Sequence, residues 1–431
     1  MQSSQHGRIA SFIWNIADDV LRDVFVRGKY RDVILPMTVI RRLDALLEPT
    51  KDAVLERQRW AEDNNVPRPE PILMRVAGQN FYNTSPFTLR SLLNHPNQLK
   101  PNMIAYLDGF SPNVVEILTR FKFRNQLDDL DASGQLGPLI ERFVDPRINL
   151  SPQPHDGSPG LDNHAMGTVF EELIRRFNEE NNEEAGEHFT PRDVVTLMAD
   201  LVFEPIRDRI ESTTYLLYDG AAGTGGMLTV AEERLRQLAH ARGKSVSMHA
   251  YGQEINPETW AIAQADLLIK GERAENVKWG STLAADAFPA DTFDFMLSNP
   301  PYGKSWKTDL DRLGGKDGMQ DARFTISHGD DPEYSLVTRS SDGQLMFLAN
   351  MLSKMKTDTP LGSRIVEVHN GSSLFTGDAG QGESNIRRWI IENDWLEAII
   401  ALPNNMFYNT GIATYIWVLG NRKEDRRKGK V

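Results

Sequence analysis

Tyr215-Leu216-Leu217-Tyr218-Asp219-Gly220-Ala221-Ala222-Gly223-Thr224-Gly225-Gly226-Met227 begins as a buried strand, turns through small residues and opens a helix. Small side chains let a backbone turn tightly and approach a ligand. A glycine loop carries weight only in this context, after a strand and before a helix. Apolar strand-like runs and helical periodicity alternate from there: strand 215–218, helix 226–242, strand 247–251, helix 257–271, a short strand near Val277 and strand 293–298. The alternation predicts a doubly wound parallel sheet. A helix at 344–356, a strand at 364–368, a helix at 384–393 and strands at 396–402 and 413–419 complete it.

The second strand ends at Gly252-Gln253-Glu254. An acidic side chain at that point can accept both hydroxyls of a ribose. Glu254 lies 31 residues beyond Gly223, longer than the spacing of about 20 typical of dinucleotide sites. No Gly-Lys-Ser/Thr run is present for a triphosphate. The loop therefore suits a nucleoside without a pyrophosphate. The bland alternatives are a helix-terminal carboxylate for Asp219 and a solvated strand end for Glu254.

Strand 293–298 leads into Asn299-Pro300-Pro301-Tyr302. Open α/β sheets place their chemistry at strand carboxyl ends, and two prolines stiffen the turn. The Asn299 side-chain oxygen and the Pro300 carbonyl can each accept an N–H from an amine on a planar base. That would draw a delocalised nitrogen lone pair toward an electrophile, while Tyr302 stacks on the ring. An ordinary turn is the competing reading. Upstream, Gly186-Glu187-His188-Phe189-Thr190-Pro191-Arg192 opens a helix. Thr190 is the expected N-cap and Pro191 the first helical residue. The helix terminus favours an anion such as a carboxylate, although a plain cap is the stronger reading of this segment taken alone.

The chain has 431 residues, 40% hydrophobic and 25% charged, as expected of a soluble globular protein with two or three domains. No apolar run is long enough to span a bilayer, and no signal pattern opens the chain. With zero cysteines, disulfides, thiolate metal sites and a cysteine nucleophile are excluded, and a cytoplasmic location is expected. A formal charge of −12 argues against broad autonomous binding to a polyanion. Residues 1–150 read as a helical domain, with apolar stripes at three- and four-residue spacing and Pro36 near a helix start or at a kink. Residues 151–161, rich in Pro and Gly, read as a linker, and 162–431 as the α/β domain. Within it, 303–343 is a long polar segment whose Lys304, Lys307, Arg312, Lys316, Arg323 and Arg339 can close on nucleic acid.

The three motifs, in this order, resemble the modification subunit of type I restriction–modification enzymes. So do Tyr30-Arg31-Asp32-Val33-Ile34-Leu35-Pro36 and Arg41-Arg42-Leu43 near the start. The resemblance implies an all-α domain followed by a Rossmann-like, S-adenosylmethionine-dependent methyltransferase domain that methylates adenine N6 in DNA. It implies that Glu187, His188, Phe189, Thr190, Pro191 and Arg192 border the methionine part of the cofactor. Asp219, Ala221, Ala222, Gly223, Thr224, Gly225 and Gly226 would form its floor, and Glu254 would hold the ribose. Asn299, Pro300 and Tyr302 would hold the flipped adenine, with Pro301 stiffening the turn. Family members usually carry Asp or Asn where this chain has Ser281; Asp286 is the substitute considered for contact with the cofactor's adenine. No metal is required. Residues 303–431 leave no room for a target-recognition domain, so a specificity subunit is expected as partner, with a nuclease subunit in the restricting complex, two copies of this chain per assembly and no membrane. The chain stops soon after its last expected strand, as a shortened form would. Competing readings are methylation of a protein glutamine amide and a cofactor-binding scaffold without turnover.

Overall fold

In the computed structural model, described here except for residues 1, 156–157, 181–189, 273, 405 and 408–410 and the side chains of 2–5 and 178–180, two compact units are present. One comprises Met1–Asn181 and Ala261–Glu275, the other Asn182–Trp260 and Asn276–Val431.

The first unit is helical: α1 (Gln2–Ile16), α2 (Arg31–Leu47), α3 (Lys51–Asp63), α4 (Glu70–Ala77), α5 (Leu89–Leu92), α6 (Leu99–Asp108), α7 (Pro112–Arg120), α8 (Phe123–Ala132), α9 (Leu136–Phe143) and α10 (Asn163–Glu180). The hub is α2, whose Val33, Ile34, Leu35, Met37, Val39, Ile40 and Leu43 are all buried. A helix apolar on every side belongs in a core. Pro36 sits inside α2 rather than at its start. Local signals set two of the other ends. Thr88 and Ser91 form a reciprocal capping box at α5, and Gly78 closes α4 with φ of 64°. The Pro- and Gly-rich stretch after Leu150 is held at both ends. The buried Arg42 donates through Nη1 to the carbonyls of Leu150 and Leu161, and through Nη2 to Asn163 Oδ1 at 2.9 Å.

The second unit contains α11 (Arg192–Phe203), β1 (Thr214–Asp219), α12 (Gly226–His240), β2 (Ser247–Glu254), then α13 (Pro257–Lys270, whose later residues count with the first unit), β3 (Val277–Trp279) and β4 (Phe295–Ser298). After these come α14 (Lys307–Arg312), β5 (Thr325–His328), β6 (Asp331–Ser335), α15 (Gln344–Ser353), β7 (Arg364–Asn370), α16 (Ser372–Phe375), α17 (Gly382–Glu392), β8 (Leu396–Ala401) and β9 (Thr414–Gly420). Seven strands form one sheet in the order β3-β2-β1-β4-β7-β9-β8. The expected α/β sheet is present with one change: β9 runs antiparallel to both neighbours. Residues 402–413 join β8 to β9 with no helix among those described, and a parallel return needs a longer, usually helical, crossover. The order reverses between β1 and β4, which makes their carboxyl ends the switch point where such sheets bind ligands.

Segment 303–343 is ordered into α14 and the β5–β6 hairpin. Its ends are drawn together: Gly303 N–H donates to Asp342 Oδ1 at 3.1 Å, and Gly343 N–H to the Lys304 carbonyl at 3.2 Å. Arg323, expected to reach toward nucleic acid, is instead buried. Its guanidinium donates to the Thr282 and Leu283 carbonyls, to Asn350 Oδ1 and to Asp321. It fastens the segment to the loop after β3, because a buried guanidinium must spend its N–H groups on acceptors.

Candidate active site

Asp219 ends β1 and is 1% exposed. Its Oδ1 accepts from Ala221 N–H at 2.9 Å and from Ser298 Oγ at 2.7 Å. The second bond ties the end of β1 to the end of β4, immediately before Asn299. Burial pushes the Asp219 carboxyl up to about 7 against these stabilising bonds. From Asp219 the chain enters the glycine turn, where Gly223 and Gly225 take φ of 55° and 82°. Those values favour glycine. A Cβ on Gly252, in β2, would lie 2.9 Å from Ala222 Cβ, so glycine there lets the loop settle on the strand.

At the end of β2, Glu254 Oε2 accepts from Gly223 N–H at 2.9 Å and Oε1 accepts from Asn256 N–H at 2.7 Å. Part of its acceptor capacity thus shapes the loop, and the side chain lines the cleft. Asn256 Oδ1 in turn caps α13 by accepting from Glu258 and Thr259 N–H.

Asn299 carries the least satisfied group. Its Nδ2 donates to Thr190 Oγ1 at 3.0 Å, while its Oδ1 is buried with no hydrogen-bond partner among the described residues. A buried acceptor left unpaired costs stability of order 1–3 kcal/mol and marks a place reserved for a donor. Thr190 therefore does not cap α11, as its sequence position suggested. The cap position is Pro191, with ψ of 137°, and no side chain caps that end.

Asp219, Glu254 and Asn299 open on one cleft, with about 250 Å³ of free volume. Thr190, Ala221, Ala222, Gly223, Thr224, Gly226 and Pro301 also line it. Pro191, Arg192, Gly225, Pro300 and Tyr302, also singled out from sequence, do not. Pro300 is buried behind the wall and Tyr302 is half-buried, which raises its phenol pKa. Glu187, His188 and Phe189 lie outside the described residues. The substitute Asp286 is turned away from the cleft: its Oδ2 pairs with the buried Lys354 Nζ at 2.7 Å. Ser281 lines the cleft instead. Residues missed from sequence include Val195, Gln253, Ile255, Leu283, Trp306, Asp309 and Phe347. They arrive from separate segments and have no local motif, although an apolar residue directly after the acid at a strand end, Ile255, could have been noticed.

Two acids at neighbouring strand ends, a glycine turn open above Gly226, where an added Cβ would meet nothing within 4 Å, and an orphaned carboxamide oxygen fit a nucleoside carrying a reactive group. With the strand order above, they define the class: a methyltransferase of the S-adenosylmethionine-dependent fold. The chain belongs to the N-6 DNA Methylase family, whose pattern matches residues 161–431, and the HsdM N-terminal domain pattern matches residues 9–143.

Among curated proteins the chain is 24% identical over 427 residues to the type I restriction enzyme MjaIX methylase subunit of Methanocaldococcus jannaschii, covering 97% of this chain and 70% of that one. It is 29% identical over 293 residues to the HindI methylase subunit of Haemophilus influenzae, covering 67% of this chain and 57% of that one. Against solved structures it matches a type I restriction–modification methyltransferase subunit from Streptococcus thermophilus with TM-score 0.68 at 21% identity, covering 98% of this chain and 86% of that one. A modification subunit of a type I restriction enzyme from Vibrio vulnificus gives TM-score 0.54 at 19% identity, over 99% and 85%. At these identities the structural matches establish the fold. No helix among the described residues is long and apolar enough to cross a membrane.

Proposed function

We propose that this chain transfers the methyl group of S-adenosylmethionine to N6 of adenine in DNA, as the methylase subunit of a type I restriction–modification assembly. A separate specificity subunit would choose the site, two copies of this chain would act per assembly, and a nuclease subunit would join for restriction. The observation that carries the reading is the buried, unpartnered Asn299 Oδ1, fixed in direction by the bond from Nδ2 to Thr190.

The cofactor supplies an electrophilic methyl carbon on a sulfonium. The chain's own contribution is placement. Asp219, Gly223 and Glu254 form the floor for the nucleoside, and Thr190 holds the Asn299 amide so that its oxygen accepts one N–H of the adenine amine. The base must leave the helix stack to reach it. Accepting that N–H makes the nitrogen lone pair available. With the cofactor bound, the nitrogen would take the methyl group as the S–C bond breaks, the sulfonium would leave as a thioether, and the surplus N6 proton would pass to water. Positioning and fixed acceptors supply the rate enhancement. The family match favours this over methylation of a protein glutamine amide, and the intact Asn299 speaks against a scaffold without turnover.

The test is tritiated methyl transfer to duplex DNA by the assembled complex. Asn299→Ala is expected to lower transfer by about a hundredfold or more while calorimetric cofactor affinity stays within a few-fold. Loss of cofactor binding in that variant, or label appearing on protein rather than adenine N6, overturns the reading.

A further inference from the structure

Reading along the carboxyl edge of the sheet, Asn299 follows β4, Asp219 ends β1, Glu254 ends β2, and Gly280-Ser281 follow β3, in the spatial order β4-β1-β2-β3. A nucleoside whose reactive end meets Asn299 and whose ribose meets Glu254 must place its base one strand further out, beside Ser281. This placement rests on the proposed cofactor.

The cleft at that end is apolar on its walls and acidic at its rim. Ile255 remains 61% exposed while lining the cleft, an unfavourable position for an isoleucine unless a flat apolar ligand covers it. Leu283, Trp306 and the half-buried Phe347 line the same cleft. At the rim stands Asp309, half-buried, from α14. Its Oδ1 accepts from Ser281 Oγ at 2.8 Å. Ser281 Oγ also accepts from Ala284 N–H at 3.2 Å, which fixes the hydroxyl so that its proton points to the carboxylate. Among the described residues no lysine or arginine pairs with Asp309. A carboxylate offers acceptors only. One held in place by a donated hydroxyl, with its other lone pairs free, selects a ring edge that carries N–H donors.

We propose that Asp309, oriented by Ser281, is the specificity-determining acceptor for the exocyclic amine of the cofactor's purine. The residue comes from segment 303–343, directly after Asn299–Tyr302 in the chain. Trp306, three residues before it, is anchored by its N–H to the Ser340 carbonyl and by Nε1 to that of Arg339, both at 2.9 Å. Docking of the cofactor's base would therefore engage the segment that directly follows the acceptor-side tetrapeptide.

The test compares equilibrium binding of S-adenosylhomocysteine with that of S-inosylhomocysteine, in which a carbonyl oxygen replaces the amine. The wild-type chain is expected to prefer the adenosyl compound by at least about tenfold, since the oxo analogue sets acceptor against acceptor. In Asp309→Asn, whose amide can donate to the oxo group, the ratio should fall to about one or invert. In Ser281→Ala, which leaves the carboxylate unsteadied and covers the case of a poorly folded Asp309 variant, it should narrow at least threefold. An unchanged ratio in either folded variant, or no preference in the wild type, overturns the assignment. Failure of the wild type to bind S-adenosylhomocysteine at all would instead remove the cofactor reading beneath it.

Discussion

Asp219 shows how one side chain can belong to both fold and site. It is buried, bonded to Ser298 and Ala221, and titrates near 7 because burial penalises its charge more than those bonds favour it. The folded pKa lies above the unfolded value of 3.8. Its contribution to stability is therefore fully present below pH 3.8 and is lost as pH rises through about 7. We expect Asp219→Asn, whose amide oxygen can keep both accepted bonds, to raise stability at pH 8 by a few kcal/mol and to flatten the slope between pH 4 and 8 in urea denaturation. An unchanged slope would show that Asp219 does not titrate there. Thr190 is simpler: its hydroxyl aims the Asn299 amide. Thr190→Ala should reduce methyl transfer about tenfold and Thr190→Ser should restore it; equal rates for both variants would end the aiming role.

Among elements, α2, segment 303–343 and β7 each depend on a buried ionisable group. In α2, burial lowers the Arg42 guanidinium to about 10, and three acceptors hold it. Arg42→Ala strands those acceptors and should cost about 3 kcal/mol in chemical denaturation; a loss below 1 kcal/mol would contradict the clamp. Segment 303–343 splits its cations by role. Arg323 is structural, whereas Lys307, Arg312 and Lys316 are exposed. Replacing these three by alanine should leave stability within about 0.5 kcal/mol and reduce the salt slope of DNA binding by about 2–3 if all touch phosphate. An unchanged slope would make the exposed face mere solvated surface.

In β7, Glu367 and His369 are fully buried, with His369 Nε2 2.9 Å from Glu367 Oε2. The pair is out of line for a hydrogen bond, and both atoms stay unpartnered. They do not form an ion pair, because burial raises the carboxyl well above its usual range and lowers the imidazole to about 3. The two work in opposite directions. The His369 contribution is complete above pH 6.5 and is lost as pH falls toward 3, while that of Glu367 is complete below pH 4.5 and is lost as pH rises. Glu367→Gln should therefore weaken the decline of stability on the alkaline side and leave the acid side intact; a parallel shift of the whole profile would refute this.

At the scale of the whole molecule, the charge of −12 sets the expectation for partners. Alone, the chain should bind duplex DNA weakly and without sequence preference at physiological salt, and a basic or base-reading partner must supply most of the phosphate contacts. Gel-shift titration with and without the specificity subunit tests this, and tight site-specific binding by the isolated chain would contradict the division of labour.

The local sequence determined the strand–glycine turn–helix unit, the acids at the ends of β1 and β2, and the proline-stiffened turn after β4, because each rests on neighbours in the chain and on alternation of periodicity. The individual bounds of α3, α4 and α8, inside a stretch legible as helical, and the hairpin in 303–343 were not legible, since short elements of mixed polarity draw their stability from tertiary packing rather than from propensity. Only the tertiary structure decided that β9 inserts antiparallel, that Arg323 faces inward, that Thr190 serves Asn299 instead of capping a helix, and that Asp309 meets Ser281. The last three join residues far apart in the chain through polar atoms whose partners are chosen by the cost of leaving them unpaired, the first follows from a connection that does not permit a parallel return, and no local pattern records either choice.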